Sequence, residues 1–145
     1  MTRAHDAAVL SRLREIRGLS ELVFDGEPKG TKQPDGTVLR PSRYVNVHSN
    51  RGIGRPDRLA QATGGRKRKT YWIHSVGASK QHADAVAEAV IAALEGWSPA
   101  VDGFSCERLS HETSQPTQKE ETSKPAIFFA VDVFDLYTTP LDPTL

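Results

Sequence analysis

The chain has 145 residues, 37% apolar and 26% charged, a composition that predicts one soluble globular domain with a single core and argues against intrinsic disorder. Its formal net charge of +1 excludes a uniformly basic or acidic protein. It has no apolar run long enough to span a bilayer, no signal-peptide layout at its start and a single cysteine, Cys106. We therefore expect a protein of a reducing cytoplasm without an intrachain disulfide.

A first helix is predicted from Thr2 to Arg17. Thr2 is a suitable N-cap, the apolar residues recur at helical spacing, and Gly18 follows as a stop signal. The apolar face consists of Val9, Leu10, Leu13 and Ile16.

Two short strands with an arm between them are predicted next. Leu19 to Phe24 favours one strand, and Arg43 to His48 alternates well enough to be the returning strand. Between them, Asp25-Gly26 and Pro34-Asp35-Gly36 are turn signals. We therefore expect residues 26–41 to form an exposed arm or a long hairpin tip.

Residues 49–69 form a basic, glycine-rich segment, which we expect to be a loop. It carries seven basic residues and one acidic residue, a net charge of +6, and leaves the rest of the chain with 12 basic and 17 acidic residues, a net charge of −5. A basic loop on an acidic body produces a directional electrostatic field. The segment lacks both the Gly-Lys-Ser/Thr of a phosphate-binding loop and the third glycine of the dinucleotide fingerprint, so a solvated loop is the simplest interpretation.

The segment from Tyr71 to Trp97 predicts a strand, a turn, a helix and a stop. Tyr71 to Val76 alternates as a half-buried strand, Gly77 ends it, Ser79 is a suitable N-cap, and Gly96 is placed to end the helix. We expect one face of this helix to lie on a sheet, each large apolar residue contributing about 1.5 to 3 kcal/mol. That core face consists of Val86, Val90, Ile91, Leu94 and Trp97.

The last part of the chain predicts two strands, a loop and a tail. Gly103 to His111 alternates as a strand, and residues 113–125 are polar and bounded by proline, which favours a loop. Ala126 to Tyr137 is the longest apolar run and favours a central strand buried on both faces. Residues 138–145 form a short tail.

The predicted fold is α+β, in a single domain of residues 1–145. The economical arrangement is a mixed or antiparallel sheet of about five strands that carries both helices on one face.

No catalytic or metal-binding pattern is evident in the sequence. The five histidines and Cys106 show no ligand spacing, and no nucleophile elbow is present, so we expect neither an enzyme nor a cofactor. Asp132 stands out because burying a carboxylate in an apolar strand costs free energy unless the carboxylate is paired with a cation or hydrated. It either forms an ion pair with Arg108 or another cation, or faces solvent or another subunit.

Four segments of the second half stand out as a set: SVGASKQHADAVAEAVIAALEGW (75–97), PAVDGF (99–104), RLSHETSQPTQKEE (108–121) and FFAVDVFDLYTT (128–139). In this order they resemble the tail terminator, or tail completion, proteins of long-tailed actinobacterial phages, and the first helix and YVNVH show a looser similarity to the same proteins. The resemblance implies a small α/β virion protein that forms a ring, usually a hexamer, at the head-proximal end of the tail tube. Such a ring stops tube polymerisation and presents a surface to the head connector.

The same resemblance implies the partners and the contact segments. The partners would be further copies of the chain, the major tail tube protein, the head-completion or connector protein, and DNA passing the channel without sequence recognition. The arm 26–41, the loop 113–125 and the tail 138–145 are candidate contacts with neighbouring subunits. The protein would be assembled in the host bacterial cytoplasm and located in the virion.

The resemblance assigns no role to the basic segment. In a ring, however, the charges of the copies would form a positive band that attracts polyanions. The residues expected to line the channel or to contact an acidic partner are Arg51, Arg55, Arg66, Lys67 and Arg68. An alternative function is a small nucleic-acid-binding module that uses this segment. That alternative needs exposed aromatic residues for stacking, whereas the nearest ones, Tyr71 and Trp72, lie in a strand predicted to be buried.

Overall fold

The computed structural model describes residues 2–28, 30–32, 34–36, 38–39, 41–50, 53–54, 65–121 and 126–141. The described residues contain two helices, α1 (Thr2–Arg14) and α2 (Lys80–Leu94). Their strands are β1 (Val23–Asp25), β2 (Thr31–Lys32), β3 (Val38–Leu39), β4 (Arg43–Ser49), β5 (Ile53–Gly54), β6 (Lys67–Gly77), β7 (Phe104–Cys106), β8 (Ser110–Glu120) and β9 (Ile127–Pro140). This is a curled mixed sheet with two helices, which confirms the α+β prediction.

The sheet has the order β1-β4-β6-β9, and the far side of β9 pairs with β8 and then with β7. The β1–β4 pair is parallel, and the other described pairs are antiparallel. β9 has a neighbour on both sides along most of its length, so the apolar run is central in the sheet, as its composition predicts. β2 and β3 form a separate antiparallel hairpin within the predicted arm.

The core lies between the helices and one face of the sheet, here called the inner face. Val9 and Leu13 of α1 are fully buried, as are Tyr71, Ile73 and Phe134 of the inner face. Side chains alternate across a strand, so Trp72 and His74 point to the opposite, outer face.

Helix α2 is placed on the sheet by its first turn. The Ser79 hydroxyl accepts a hydrogen bond from the backbone N–H of His82 at 3.2 Å, which is the predicted cap. Val86, Val90 and Leu94 are buried, while Ile91 and Trp97 are partly buried and pack against the same core. The helix ends before Gly96, whose φ of 76° suits glycine.

The two helices also contact each other. Arg12 Nε of α1 donates to the carbonyl of Ala93 at 2.9 Å, and the Arg12 guanidinium lies 5.4 Å from the centre of the Trp97 ring. These contacts hold the C-terminal part of α1 beside that of α2.

Several N-terminal boundaries differ from the prediction. α1 ends at Arg14 and is followed by tighter turns, because Glu15 and Ile16 donate to carbonyls three residues back. The first strand begins only at Val23, since the chain from Leu19 makes another tight turn in which Leu22 N–H donates to the Leu19 carbonyl.

Residues 67–69, predicted as the end of a basic loop, belong to β6. The strand extends this far because β9 continues to Pro140 and supplies partners for Lys67, Arg68 and Lys69. For the same reason the predicted tail begins late, since Thr138 to Pro140 are still part of β9. Residues 142–145 lie outside the described residues.

Residues 113–120, predicted as a loop, form most of β8. Seven of the eleven side chains of β8 are exposed, so this strand lacks the alternation of apolar and polar residues that would have predicted it. The exposed side chains are those of Glu112 to Pro116, Gln118 and Lys119. Its pairing with β9 is interrupted by irregularities near Glu112 and Pro116, where a proline is tolerated. The strand predicted from Gly103 to His111 is correspondingly split, with β7 covering only Phe104 to Cys106.

Candidate functional site

The basic segment is only partly described, and its described residues do not form one free patch. Arg51 and Arg55 lie outside the described residues. Arg66 donates two hydrogen bonds to the Glu107 carboxylate, at 2.6 and 2.9 Å, and its guanidinium lies 3.9 Å from the centre of the Tyr137 ring. The hydrogen bond to Glu107 is the main cause that raises the pKa of Arg66. Its charge is thus already matched within the chain.

Lys69 is an internal ion-pair partner. Its side chain is fully buried, and Nζ lies 2.6 Å from Asp6 Oδ1 of α1. The same carboxylate accepts hydrogen bonds from Tyr71 Oη at 3.0 Å and Ser49 Oγ at 3.2 Å. Burial, followed by the nearby Asp6, raises the pKa of Tyr71, so this hydroxyl stays a donor. The cluster joins α1 to β4 and β6.

Lys67 and Arg68 are the remaining basic residues of the described segment. Both lie in β6 at the end that pairs with β5, and Arg68 is exposed. Arg68 shares the outer face with Trp72, because the two residues are separated by an even number of positions on one strand. The structure thus places the exposed guanidinium of Arg68 on the outer face at this end of the sheet.

Asp132 has partners other than the predicted Arg108. Its Oδ1 lies 2.9 Å from His111 Nε2 and accepts a hydrogen bond from the Ser114 hydroxyl. The reason is the unpredicted strand: β8 pairs with β9 in a register that puts Ser114 opposite Asp132, whereas Arg108 is exposed before β8 begins. Asp132 is 2% exposed, so its hydrogen bonds replace the water that it loses.

This Ser-His-Asp group does not have the arrangement of a nucleophilic triad. Ser114 Oγ lies 3.0 Å from His111 Nε2, the same ring nitrogen that contacts Asp132. A triad needs one ring nitrogen for the nucleophile and the other for the carboxylate. The arrangement here is a hydrogen-bonded cluster that ties β8 to β9, with the His111 ring stacked on Phe134 at a centroid distance of 4.9 Å.

The outer face carries a polar group that the sequence analysis missed. Asn46 and His74 are direct neighbours on β4 and β6, and the His48 and His74 rings are 5.1 Å apart. Asn46 Oδ1 and His74 Nδ1 are buried without a hydrogen-bond partner. Burial, and next the nearby His48, lower the pKa of His74. An amide and an imidazole at this spacing give no recognisable sequence signal, since the strand register brings them together.

A groove of about 660 Å³ opens over these two side chains. It lies between the outer face of the sheet, the end of β8 and Pro28 at the base of the arm. The residues that line it are Pro28, Tyr44, Asn46, His74, Val76, Gln118, Lys119, Glu120, Glu121, Ile127 and Phe129. Its size is that of a pocket for a small ligand or for one large side chain.

Trp72 lies on the same face and is 39% exposed, so the prediction that it is buried is wrong. The two described helices pack on the inner face of its strand. The described residues include no group of three or more histidine, cysteine or acidic side chains that could hold a metal ion. Neither described helix is long and apolar enough to cross a membrane.

No model of a known protein family matches the chain, and no curated protein is significantly similar to it in sequence. Among solved structures, the chain is similar to one from the "Virion of native gene transfer agent (GTA) particle". The two share 20% sequence identity and superpose with a TM-score of 0.69, over 94% of this chain and 96% of that chain. At this identity the likeness establishes a common fold, which extends almost end to end.

Proposed function

We propose that the chain is a structural protein of a phage-like virion, and that it forms a ring at the head-proximal end of a tail tube. There it stops tube polymerisation and provides the surface to which the head joins. The observation that carries this proposal is the fold shared along nearly the whole chain with a component of a gene transfer agent virion. The resemblance of residues 75–139 to tail terminator proteins supports the finer role.

The proposed partners follow from this position. The chain would contact further copies of itself in a ring of six, together with the major tail tube protein and the head-completion or connector protein. The β2–β3 hairpin, the exposed β8 and the end of β9 are the described parts of the segments proposed for these contacts.

Removal of this protein from a phage that encodes it tests the proposal. We expect tails of uncontrolled length that do not join to heads, and we expect the wild-type chain supplied in trans to restore joined particles. Particles that lack the chain yet carry tails of uniform length joined to heads would overturn the proposal.

The basic segment would contact either DNA in the channel or an acidic partner. Neutralising Arg51, Arg55, Arg66, Lys67 and Arg68 together should reduce DNA retention or head joining. Because Arg66 is bound to Glu107, the matched control is Arg66→Ala alone, which removes an internal contact but leaves the other four charges. If the fivefold variant retained DNA and joined heads normally, this part of the proposal would be wrong.

A nucleic-acid-binding module remains a second candidate because Trp72 is exposed on the face that carries Arg68. A base stacked on Trp72 with its phosphate near Arg68 would bind free DNA with a steep salt dependence. Salt-sensitive binding by a monomer, lost in Trp72→Ala, would favour this candidate over the ring.

A further inference from the structure

The groove on the outer face contains a buried acceptor whose orientation is determined by its neighbours. Asn46 is 7% exposed, and its Nδ2 lies 3.2 Å from the Gly26 carbonyl and 3.2 Å from His48 Nε2. The amide nitrogen must face the Gly26 carbonyl, because the reverse orientation would bring two oxygens together. Asn46 Oδ1 is therefore left as an acceptor without a donor.

His74 supplies a second group that lacks a partner. Its Nδ1 is buried and makes no hydrogen bond. Burial lowers the pKa of His74, so the ring is neutral near pH 7 and one of its nitrogens is an acceptor. A donor that reaches Nδ1 would select the tautomer in which this nitrogen accepts.

The rest of the groove suits a planar cation. The Tyr44 and Phe129 side chains form part of the wall, and the Glu120 and Glu121 side chains, together with Lys119, line its edge. A guanidinium has only donors, stacks on aromatic rings and is weakly hydrated. A phosphate or carboxylate would instead place acceptors against Asn46 Oδ1 and beside two carboxylates.

We propose that this groove binds the guanidinium of Arg68 from a second copy of the chain. Arg68 is exposed on the outer face, whereas Arg66 is bound to Glu107 and Lys69 is buried. Within one copy, Arg68 lies six residues along β6 from His74, a separation of roughly 20 Å that an arginine side chain does not span. The contact therefore joins one copy to the next.

This inference rests on the proposed function for the existence of self-association, and it adds the residues that make the contact. It assigns Arg68 to an acidic partner rather than to DNA. The same groove would be filled in each copy of a closed ring, which would satisfy Asn46 Oδ1 and His74 Nδ1 throughout.

The guanidinium site itself is tested with a probe on the Arg68→Ala variant, whose groove is empty. We expect L-argininamide to shift the NMR signals of the Asn46 amide and the His74 ring in a saturable way, and L-lysinamide to have little effect. Adding Gln118→Arg, at an exposed residue that lines the groove, should remove the response. No saturable shift, or equal shifts with both amides, would overturn the assignment.

The contact between copies is tested by light scattering over a range of concentrations. Arg68→Ala should weaken self-association about tenfold or more, as expected for loss of a buried arginine anchor. Arg68→Lys should give partial retention, and the matched control Arg108→Ala should behave as wild type, since Arg108 is also exposed. Mixing Arg68→Ala with Gln118→Arg should restore pairs, because one intact contact remains between them.

The outcomes separate the two proposals. If Arg68→Ala assembles like the wild type, the groove contact is wrong and the ring stands. If the wild type stays monomeric while Arg68→Ala binds L-argininamide, self-association in solution fails and the assignment of Arg68 as the occupant fails with it.

Discussion

Gly77 of β6 lies directly beneath Ala83 of α2, so close that a Cβ at Gly77 would be 2.4 Å from the Ala83 backbone nitrogen. The backbone of β6 faces the backbone of α2 here, so a side chain at Gly77 could be accommodated only by a shift of one of these elements. The turn between β6 and α2 is thus determined by the absence of a side chain, and the contact brings α2 onto the inner face of the sheet.

Gly77→Ala should therefore destabilise the fold by about 1–3 kcal/mol or more, because it overpacks a backbone contact. Chemical denaturation measures the change. Gly96→Ala is the comparison, since its site is open and only the positive φ opposes a side chain, at a cost of about 1–2 kcal/mol. Equal losses in the two variants would show that the close approach is not what matters at Gly77.

The strand, glycine and helix of this region could be predicted because each has its own local pattern. Helical spacing identifies Val86, Val90 and Leu94, and Ser79 is a typical cap. Strand β8 could not be predicted, because its polar residues owe their conformation to pairing with β9. The register between β8 and β9 also determines the Asp132–His111 contact, and the register between β4 and β6 determines the Asn46–His74 pair, so both depend on residues far apart in the chain.

The buried Lys69–Asp6 pair provides a second prediction. Asp6→Ala should cost about 3–5 kcal/mol, because it leaves the Lys69 ammonium buried without its counter-charge. The double variant with Lys69→Met should be more stable than Asp6→Ala alone, since no unpaired charge then remains. Lys80→Met is the control, because the Lys80–Asp84 pair is exposed and should contribute less than about 1 kcal/mol. A double variant less stable than Asp6→Ala would contradict this account.

The third prediction concerns the core face of α2. Leu94 is fully buried against the core, so Leu94→Ala should lower the free energy of unfolding by about 2–5 kcal/mol. Leu141→Ala makes the same chemical change at a side chain that is 58% exposed and should stay within about 0.5 kcal/mol of wild type. Thermal unfolding of the two variants compares them directly. If both variants lost a similar amount of unfolding free energy, Leu94 would not be a core residue.

The fourth prediction concerns the stability of the fold at acidic pH. Because burial holds the pKa of His74 below its ordinary value of about 6.5, the unfolded chain binds this proton more readily than the folded chain. Stability from this group is therefore present above about pH 6.5 and is lost as the pH falls toward the folded pKa. The melting temperature of the wild type should drop more steeply between about pH 7 and pH 5 than that of His74→Gln. His82→Gln, at an exposed histidine, should follow the wild type, and parallel curves for all three would refute the prediction.

The central claim is that copies of this chain assemble on the end of a tail tube and stop its growth. The most direct measurement is electron microscopy of purified tail tube protein polymerising with and without this chain at substoichiometric amounts. The account predicts shorter tubes, each with a ring of this protein at one end. Tubes of unchanged length with bare ends, formed beside a folded chain, would contradict it.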